Sequence, residues 1–188
     1  PGSAEVAAAA AAAASRQWEE GAGEAGPEVE AFIMSGGLRP VKDPAYLLRS
    51  FREWHRENNR VWLVIAGPLL DENFARDFLH SLGPPPPPRA PAEDGEDAGG
   101  EGSVDWQSWR GGDGVVYVGV LERSVLLDLM RRSTAVVNTS KSEDMCNSLL
   151  EAMAVGAPVL ARAVPGNLEL VRHGRTGLLF RDPAEAVA

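Results

Sequence analysis

Short, continuously apolar runs alternate with amphipathic stretches along most of the sequence, and this alternation limits the possible folds more than any other feature. The clearest run, 61–66, is closed by Gly67 and Pro68, and the stretch before it, 44–58, carries apolar residues at helical spacing. Strands that are apolar throughout are buried on both faces, which is typical of parallel sheets covered by helices. The sequence therefore predicts a doubly wound α/β fold with a parallel sheet. The other predicted strands are 31–35, 115–118, 135–138, 158–161 and 177–180, and the other predicted helices are 74–82, 124–132 and 148–155.

Two acidic segments of low complexity differ from this pattern. Residues 1–31 are mostly Ala, Gly and Glu, with six acids and one base, and they predict a disordered tail because few large apolar groups are available for burial. Residues 83–113 contain five consecutive prolines, seven acids and two bases, and they predict an exposed, disordered insertion in a domain spanning 32–188. The remaining chain is nearly neutral, which argues against a basic nucleic-acid-binding face.

The single cysteine, Cys146, excludes an intramolecular disulfide framework and favours a reducing, cytoplasmic location. A secreted protein stays open as the alternative, although the alanine run 7–14 follows Glu5 rather than basic residues, unlike a signal peptide. The longest apolar runs fall well short of the about 20 residues that a membrane span needs. The histidines lack metal-site spacing, so no metal is predicted; they are His55, His80 and His173.

Two loops that follow predicted strands favour an anionic ligand. Gly36 and Gly37 allow close approach to the backbone, and Arg39 and Lys42 follow in the same loop. The loop 139–148 leads into a predicted helix, whose N-terminal N–H groups also favour a phosphate. Because the carboxyl ends of parallel strands share one edge of the sheet, the two loops together predict a diphosphate site.

Two carboxylates accompany these loops. Glu143 lies in the second loop and Glu151 lies eight residues later in the following helix. With a helical rise of about 1.5 Å per residue, the pair can stand roughly 10 Å apart, about the separation of the two sugars in a nucleoside diphosphate sugar. Each carboxylate can accept hydrogen bonds from a vicinal diol, which contribute about 1.5–3 kcal/mol apiece.

The stretch 140–159, with Glu143 and Glu151, resembles the Glu-x7-Glu signature of the group 1, or family 4, retaining glycosyltransferases. The resemblance extends through 164–171 and 174–180, and upstream to 36–42. It implies a GT-B fold of two facing Rossmann-like domains, of which this chain would be the C-terminal, donor-binding half.

The resemblance also implies residue roles. Glu143 would bind hydroxyls of the donor sugar, Glu151 would bind the ribose, and Lys42 would neutralise the leaving diphosphate. Gly37 stands where the family usually has arginine, and Arg39 is the candidate substitute; Gly36 would admit the donor. Backbone amides at the start of the helix would bind phosphate or sugar, and they belong to Met145, Cys146, Asn147 and Ser148.

The implied reaction is metal-independent transfer of a sugar, with retention, from a nucleoside diphosphate sugar to an unidentified acceptor, with no further cofactor. The family's N-terminal acceptor domain and closing C-terminal helices are not part of 1–188, so we expect a fragment with little or no turnover. Three alternatives stay open: a non-catalytic nucleotide-sugar-binding or regulatory isoform, a sugar-nucleotide epimerase of similar fold, and a gene fragment without function.

Overall fold

The computed structural model of the chain describes residues 30–83 and 110–188, which form one seven-stranded sheet. The strands stand in the order β3-β4-β2-β1-β5-β6-β7. All neighbouring pairs are parallel except β3 with β4. This arrangement confirms the predicted α/β class. The strands are β1 (Glu30–Ser35), β2 (Val61–Ala66), β3 (Arg110–Gly112), β4 (Val115–Tyr117), β5 (Ala135–Asn138), β6 (Val159–Arg162) and β7 (Leu178–Phe180).

Helices connect the strands and cover both faces of the sheet. A 3-10 helix, Pro40–Lys42, follows β1 and precedes the first α-helix. The α-helices are α1 (Leu48–Glu57), α2 (Glu72–Ser81), α3 (Arg123–Arg132), α4 (Asn147–Ala154), α5 (Pro165–Leu170) and α6 (Pro183–Ala186). Among the described residues, no helix is both long and apolar enough to cross a membrane.

The sheet separates two hydrophobic cores. Successive residues of a strand point to opposite faces, so Phe32 enters one core, with Phe51 of α1, while Ile33 enters the other, with Met130 of α3 and Leu149 of α4. Both faces are therefore covered. This explains why the strand sequences are apolar throughout instead of alternating with polar residues.

The structure differs from the sequence prediction at three places. Strand β1 begins at Glu30, within the predicted tail, and β3 occupies the end of the predicted insertion. Gly111 permits the close pairing of β3, because a Cβ there would lie 2.1 Å from the backbone oxygen of Val115. Helix α5, which begins with Pro165 and Gly166, was not predicted. The rest of the predicted tail and insertion, 1–29 and 84–109, lies outside the described residues.

Candidate functional site

The loops that follow β1 and β5 meet at the carboxyl edge of the sheet. The Thr139 hydroxyl donates a hydrogen bond of 2.8 Å to the backbone oxygen of Lys42, and the Lys141 N–H donates one of 2.8 Å to the Val41 oxygen. These are the two loops that the sequence assigned to an anionic ligand. The structure brings them together.

Lys42 and Glu143 form an ion pair across this junction. Lys42 ends the 3-10 helix, and its ammonium nitrogen donates a hydrogen bond to Oε1 of Glu143, a residue 101 positions away in the sequence. The helix starts with Pro40, whose fixed φ suits a first helical turn, and Asp43 ends it in the left-handed conformation. Both side chains of the pair are largely shielded from solvent, at 21% exposure for Lys42 and 9% for Glu143.

Among the described residues, every hydrogen bond to the carboxylate of Glu143 is made to one of its two oxygens, Oε1. Besides Lys42, Oε1 accepts from the Ser140 hydroxyl at 2.9 Å and from Nδ2 of Asn138 at 3.1 Å. Burial raises the pKa of Glu143, but these hydrogen bonds and the charge of Lys42 outweigh it and hold the pKa below its ordinary value. Glu143 is therefore an anion at neutral pH, and within 30–83 and 110–188 its Oε2 has no hydrogen-bond partner.

A pair of buried amides lies behind Glu143, and the sequence prediction gave neither a role. Oδ1 of Asn138 accepts from the backbone N–H of Ser140 at 3.1 Å and from Nδ2 of Asn167 at 2.8 Å. Asn167 is fully buried, and its Nδ2 also donates to the backbone oxygen of Arg162 at 2.9 Å. The sequence does show one sign of this pair, because Asn138 is a polar residue at the end of an apolar strand. That sign indicates a site only when the partners of Asn138 are known.

Arg162, at the end of β6, holds the backbone beside Lys42 and was also not predicted. Its guanidinium donates to Oδ2 of Asp43 at 3.1 Å and to the backbone oxygen of Thr139 at 3.3 Å, and it lies 3.9 Å from the centre of the Tyr46 ring. We call Arg162, Asp43 and Tyr46 the arginine clamp. The clamp connects β6 to the end of the 3-10 helix.

Gly36, in the first loop, borders a small pocket. A Cβ on Gly36 would meet no atom within 4 Å, so the backbone there faces open space, whereas one on Gly37 would lie 2.5 Å from Cδ1 of Leu70. Arg39 is exposed on the same loop and has no ion-pair partner in 30–83 or 110–188. The pocket is lined by Met34, Ser35, Gly36, Leu38, Lys42, Val137, Asn138, Thr139 and Ser140.

The start of α4 presents backbone N–H donors, and it follows Glu143 closely in the chain. The described residues provide no hydrogen-bond acceptor for the N–H groups of Met145, Cys146, Asn147 and Ser148. Met145 and Asn147 are exposed, while the Cys146 thiol is buried beside Nδ2 of Asn138, at 3.0 Å. The N-terminal N–H groups of a helix attract anions. Cys146 packs in the core.

Glu151 lies on α4, as predicted, and its hydrogen-bond partner among the described residues is Arg123. The side chain of Glu151 is 25% exposed, and its Oε1 accepts a hydrogen bond of 2.6 Å from Arg123, at the start of α3. Arg123 was not among the predicted site residues, and it is 73% exposed. The part of the chain that the structure describes contains no cluster of three or more His, Cys, Asp or Glu side chains arranged to hold a metal.

Comparison with known proteins places the chain in a family. The model of the family described as glycosyl transferases group 1 matches residues 17–188. The glycosyltransferase 1 domain-containing protein 1 of Xenopus tropicalis is 36% identical over 156 residues, which cover 83% of this chain and 37% of that protein. A D-inositol 3-phosphate glycosyltransferase of a Nocardioides species is 28% identical over 169 residues, covering 86% of this chain and 34% of that protein.

Solved structures share the fold. Anabaena Alr3699/HepE in complex with UDP-glucose matches with a TM-score of 0.59 at 21% identity, over 85% of this chain and 36% of that one. The pneumococcal O-GlcNAc transferase GtfA, in complex with UDP and GlcNAc, matches with a TM-score of 0.55 at 19% identity, over 85% and 26%. The chain thus spans little more than a third of the length of its curated relatives. As the Glu-x7-Glu resemblance predicted, the chain belongs to the group 1 glycosyl transferases.

Proposed function

We propose that this chain binds the nucleoside diphosphate sugar used by a retaining glycosyltransferase. The observation that carries the proposal is the ion pair of Lys42 and Glu143, residues 101 positions apart in sequence. It lies beside N–H groups at the start of α4 for which the described residues provide no acceptor. The cation and the amides can bind a diphosphate, and the carboxylate can accept hydrogen bonds from the hydroxyls of an attached sugar. They meet at the carboxyl edge of the sheet, where ligands of open α/β sheets bind.

The diphosphate would lie between Lys42 and the start of α4. The lysine charge and the N–H groups of 145–148, of which Asn147 and Ser148 begin α4, both favour an anion, and they would stabilise the negative charge that develops on the diphosphate as the sugar leaves. Arg39, exposed on the same loop as Lys42, can add a second cation. Fixed donors of this kind are most effective where water is excluded, and Lys42 is already largely shielded.

The two carboxylates would bind the two sugars of the donor. Oε2 of Glu143 is oriented by the bonds made to Oε1, and we assign it to hydroxyls of the transferred sugar. Glu151 would accept from the ribose hydroxyls, with Arg123 beside it. We include retention at the anomeric carbon and independence of a divalent cation in the proposal, because family membership favours both. Transfer itself would require the second, acceptor-binding domain of a GT-B enzyme.

Calorimetric titration of the full chain with UDP, GDP and ADP tests donor binding. We expect one nucleotide to bind, and Glu151→Ala to weaken its binding by roughly tenfold, which corresponds to about 1.4 kcal/mol for lost charge-assisted hydrogen bonds. Glu57→Ala, an exposed glutamate at the end of α1, is the matched control and should bind like the wild type. Binding of none of the three, or equal binding by the Glu151 variant, would refute the assignment.

A second control separates the ribose contact from the ion pair. If Glu151 acts only by holding Arg123, then Arg123→Met should weaken nucleotide binding as much as Glu151→Ala does. If Glu151 binds the ribose, Arg123→Met should have the smaller effect, since the carboxylate stays in place. Nucleotide binding without sugar transfer by this chain, even where a full-length homologue transfers the sugar, would favour the non-catalytic isoform.

A further inference from the structure

We propose that Asn138 and Asn167 are positioning residues, which hold Glu143 so that its Oε2 faces the donor sugar. The inference concerns two side chains that the proposed function does not use. Asn138 donates to Glu143 Oε1 at 3.1 Å, and Asn167 donates to Asn138 Oδ1 at 2.8 Å. The amides thus form a two-step connection from a buried residue of α5 to the carboxylate.

The connection has a fixed direction. Oδ1 of Asn138 receives two N–H donors, from the Ser140 backbone and from Asn167, so it must be the oxygen, and Nδ2 must point towards Glu143. Nδ2 then lies within 3.3 Å of the Ser140 hydroxyl and 3.1 Å of Oε1 of Glu143. The orientation of one amide therefore determines which carboxylate oxygen is occupied from within the protein.

Asn167 is anchored by close backbone packing. A Cβ on the neighbouring Gly166 would lie 2.0 Å from the backbone oxygen of Glu143, so α5 packs directly on the Glu143 loop. Asn167 is fully buried, and its Oδ1 has no hydrogen-bond partner among the described residues. An unsatisfied buried oxygen is unfavourable, and an apolar side chain would avoid it. The two donated bonds of Nδ2, to Asn138 and to the Arg162 backbone, account for an amide at this position.

Without this support, the carboxylate of Glu143 would be held by Lys42 and Ser140 alone. Ser140 and Lys42 could then approach either oxygen, and Oε2 would no longer be kept open for a hydroxyl. Asn138 and Asn167 need not touch the donor to have this effect. The assignment of Oε2 to a sugar rests on the proposed function; the control of Glu143 by the two amides does not.

The ligand-free titration of Glu143 tests the positioning. In the full chain, the carboxyl carbon of Glu143 is followed by NMR against pH, with Glu143→Gln to assign the signal. Asn167→Leu should shift the Glu143 midpoint upward, because the hydrogen bond from Asn138 is lost or weakened. The matched control is Asn58→Leu, at the opposite edge of the sheet, where Asn58 bonds to Glu30 and Arg60, and it should leave the midpoint unchanged.

Asn138→Ser provides a second, independent variant, because it removes the donor itself. It should shift the midpoint at least as far as Asn167→Leu, and it decides the question alone if the buried leucine prevents folding. An unchanged midpoint in a folded Asn138→Ser protein would overturn the proposal. So would an equal shift in Asn58→Leu, since a general loosening of the fold would then explain the result.

Titration with UDP and with UDP-glucose tests the consequence for the sugar. Asn167→Leu should lower the affinity for UDP-glucose about tenfold while it changes the affinity for UDP less than about twofold, since only the sugar contact depends on Glu143. Equal losses for both ligands would refute the link to the sugar. If the wild type binds none of UDP, GDP, ADP and UDP-glucose, the proposed function fails, while the NMR titration still decides whether the two amides position Glu143.

Discussion

The state of Glu143 depends on a balance between burial and hydrogen bonding. Burial alone would favour the protonated acid, but three donors converge on Oε1, and one of them carries a charge. The pKa of Glu143 in the folded protein is therefore below its ordinary value of 4.5. A carboxylate that is more acidic in the folded state than in the unfolded state stabilises the fold while it is ionised.

This balance predicts how Glu143 contributes to stability across pH. Glu143→Gln removes the charge and keeps the shape, and we expect it to lower the free energy of unfolding at pH 7. The difference from wild type should persist down to the ordinary glutamate pKa and shrink as the pH falls through the lower, folded pKa, because both proteins are then neutral at this position. Urea unfolding at a series of pH values measures it. A difference that does not depend on pH would contradict the lowered pKa.

Gly166 is a residue at which a single added methyl group should have a clear effect. A methyl group there would lie 2.0 Å from the backbone oxygen of Glu143 and 2.9 Å from that of Asp144. Gly166→Ala should lower the free energy of unfolding by about 1–3 kcal/mol, the usual cost of overpacking. Gly112→Ala is the control, since a Cβ there meets nothing within 4 Å. Equal urea midpoints for the two variants would show that the Glu143 loop moves to accommodate the methyl group at no cost in stability.

At the scale of elements, apolar periodicity located the strands and helices that form the cores. It missed β3 and α5 for a physical reason. Arg110–Gly112 has no apolar side chain, and its strand conformation comes from pairing with β4. Pro165 and Gly166 favour a turn by themselves, and the helix they begin is held by packing on the Glu143 loop. Elements that depend on tertiary contacts leave little trace in local sequence.

The site residues, like the elements, include some that the sequence predicts and others that become evident only in the folded structure. Lys42, Glu143 and Glu151 were predicted because they are charged and lie after strands or in the following helix. Arg162, at the end of β6, was given no role, since its contacts are with residues distant in sequence. Asn138, at the end of β5, was also given no role, although Glu143 follows it by only five positions. Asn167 contacts Asn138 from 29 positions away. No spacing rule connects such residues before the sheet is assembled.

The arginine clamp predicts how β6 supports the 3-10 helix. Arg162→Met keeps much of the packing on Tyr46 but removes the bonds to Asp43 and to the Thr139 oxygen. Asp43, at 19% exposure, would lose its closest cation, and we expect a stability loss of about 1–3 kcal/mol with faster amide exchange at Lys42. Arg181→Met removes an exposed pair with Glu185 and should cost no more than about 0.5 kcal/mol. If amide exchange at Lys42 is unchanged in the Arg162 variant, the arginine clamp does not support the 3-10 helix.

At the scale of the whole molecule, the order of the strands places the site. The chain leaves β1 towards β2 on one side and returns to β5 on the other, so the sheet reverses its direction of growth between β1 and β5. The loops that follow two such strands diverge to opposite faces and leave a crevice between them. Those two loops carry Lys42 and Glu143. The position of the candidate site is therefore a property of the topology, and the side chains determine what it can bind.

This topology predicts that a bound nucleotide protects one edge of the sheet. A ligand at 100 times its dissociation constant adds about 2.7 kcal/mol to the stability of the state that binds it. Hydrogen exchange with and without saturating UDP should therefore show slower exchange at 36–43 and 139–148, where the ligand also caps free N–H groups of α4. The turns at the opposite edge, 58–60 and 156–158, are the internal control and should change least. If protection is equal at both edges, or is confined to the amino edge, the nucleotide does not bind at the carboxyl edge. Lys42 and Glu143 could then not be assigned to its diphosphate and sugar.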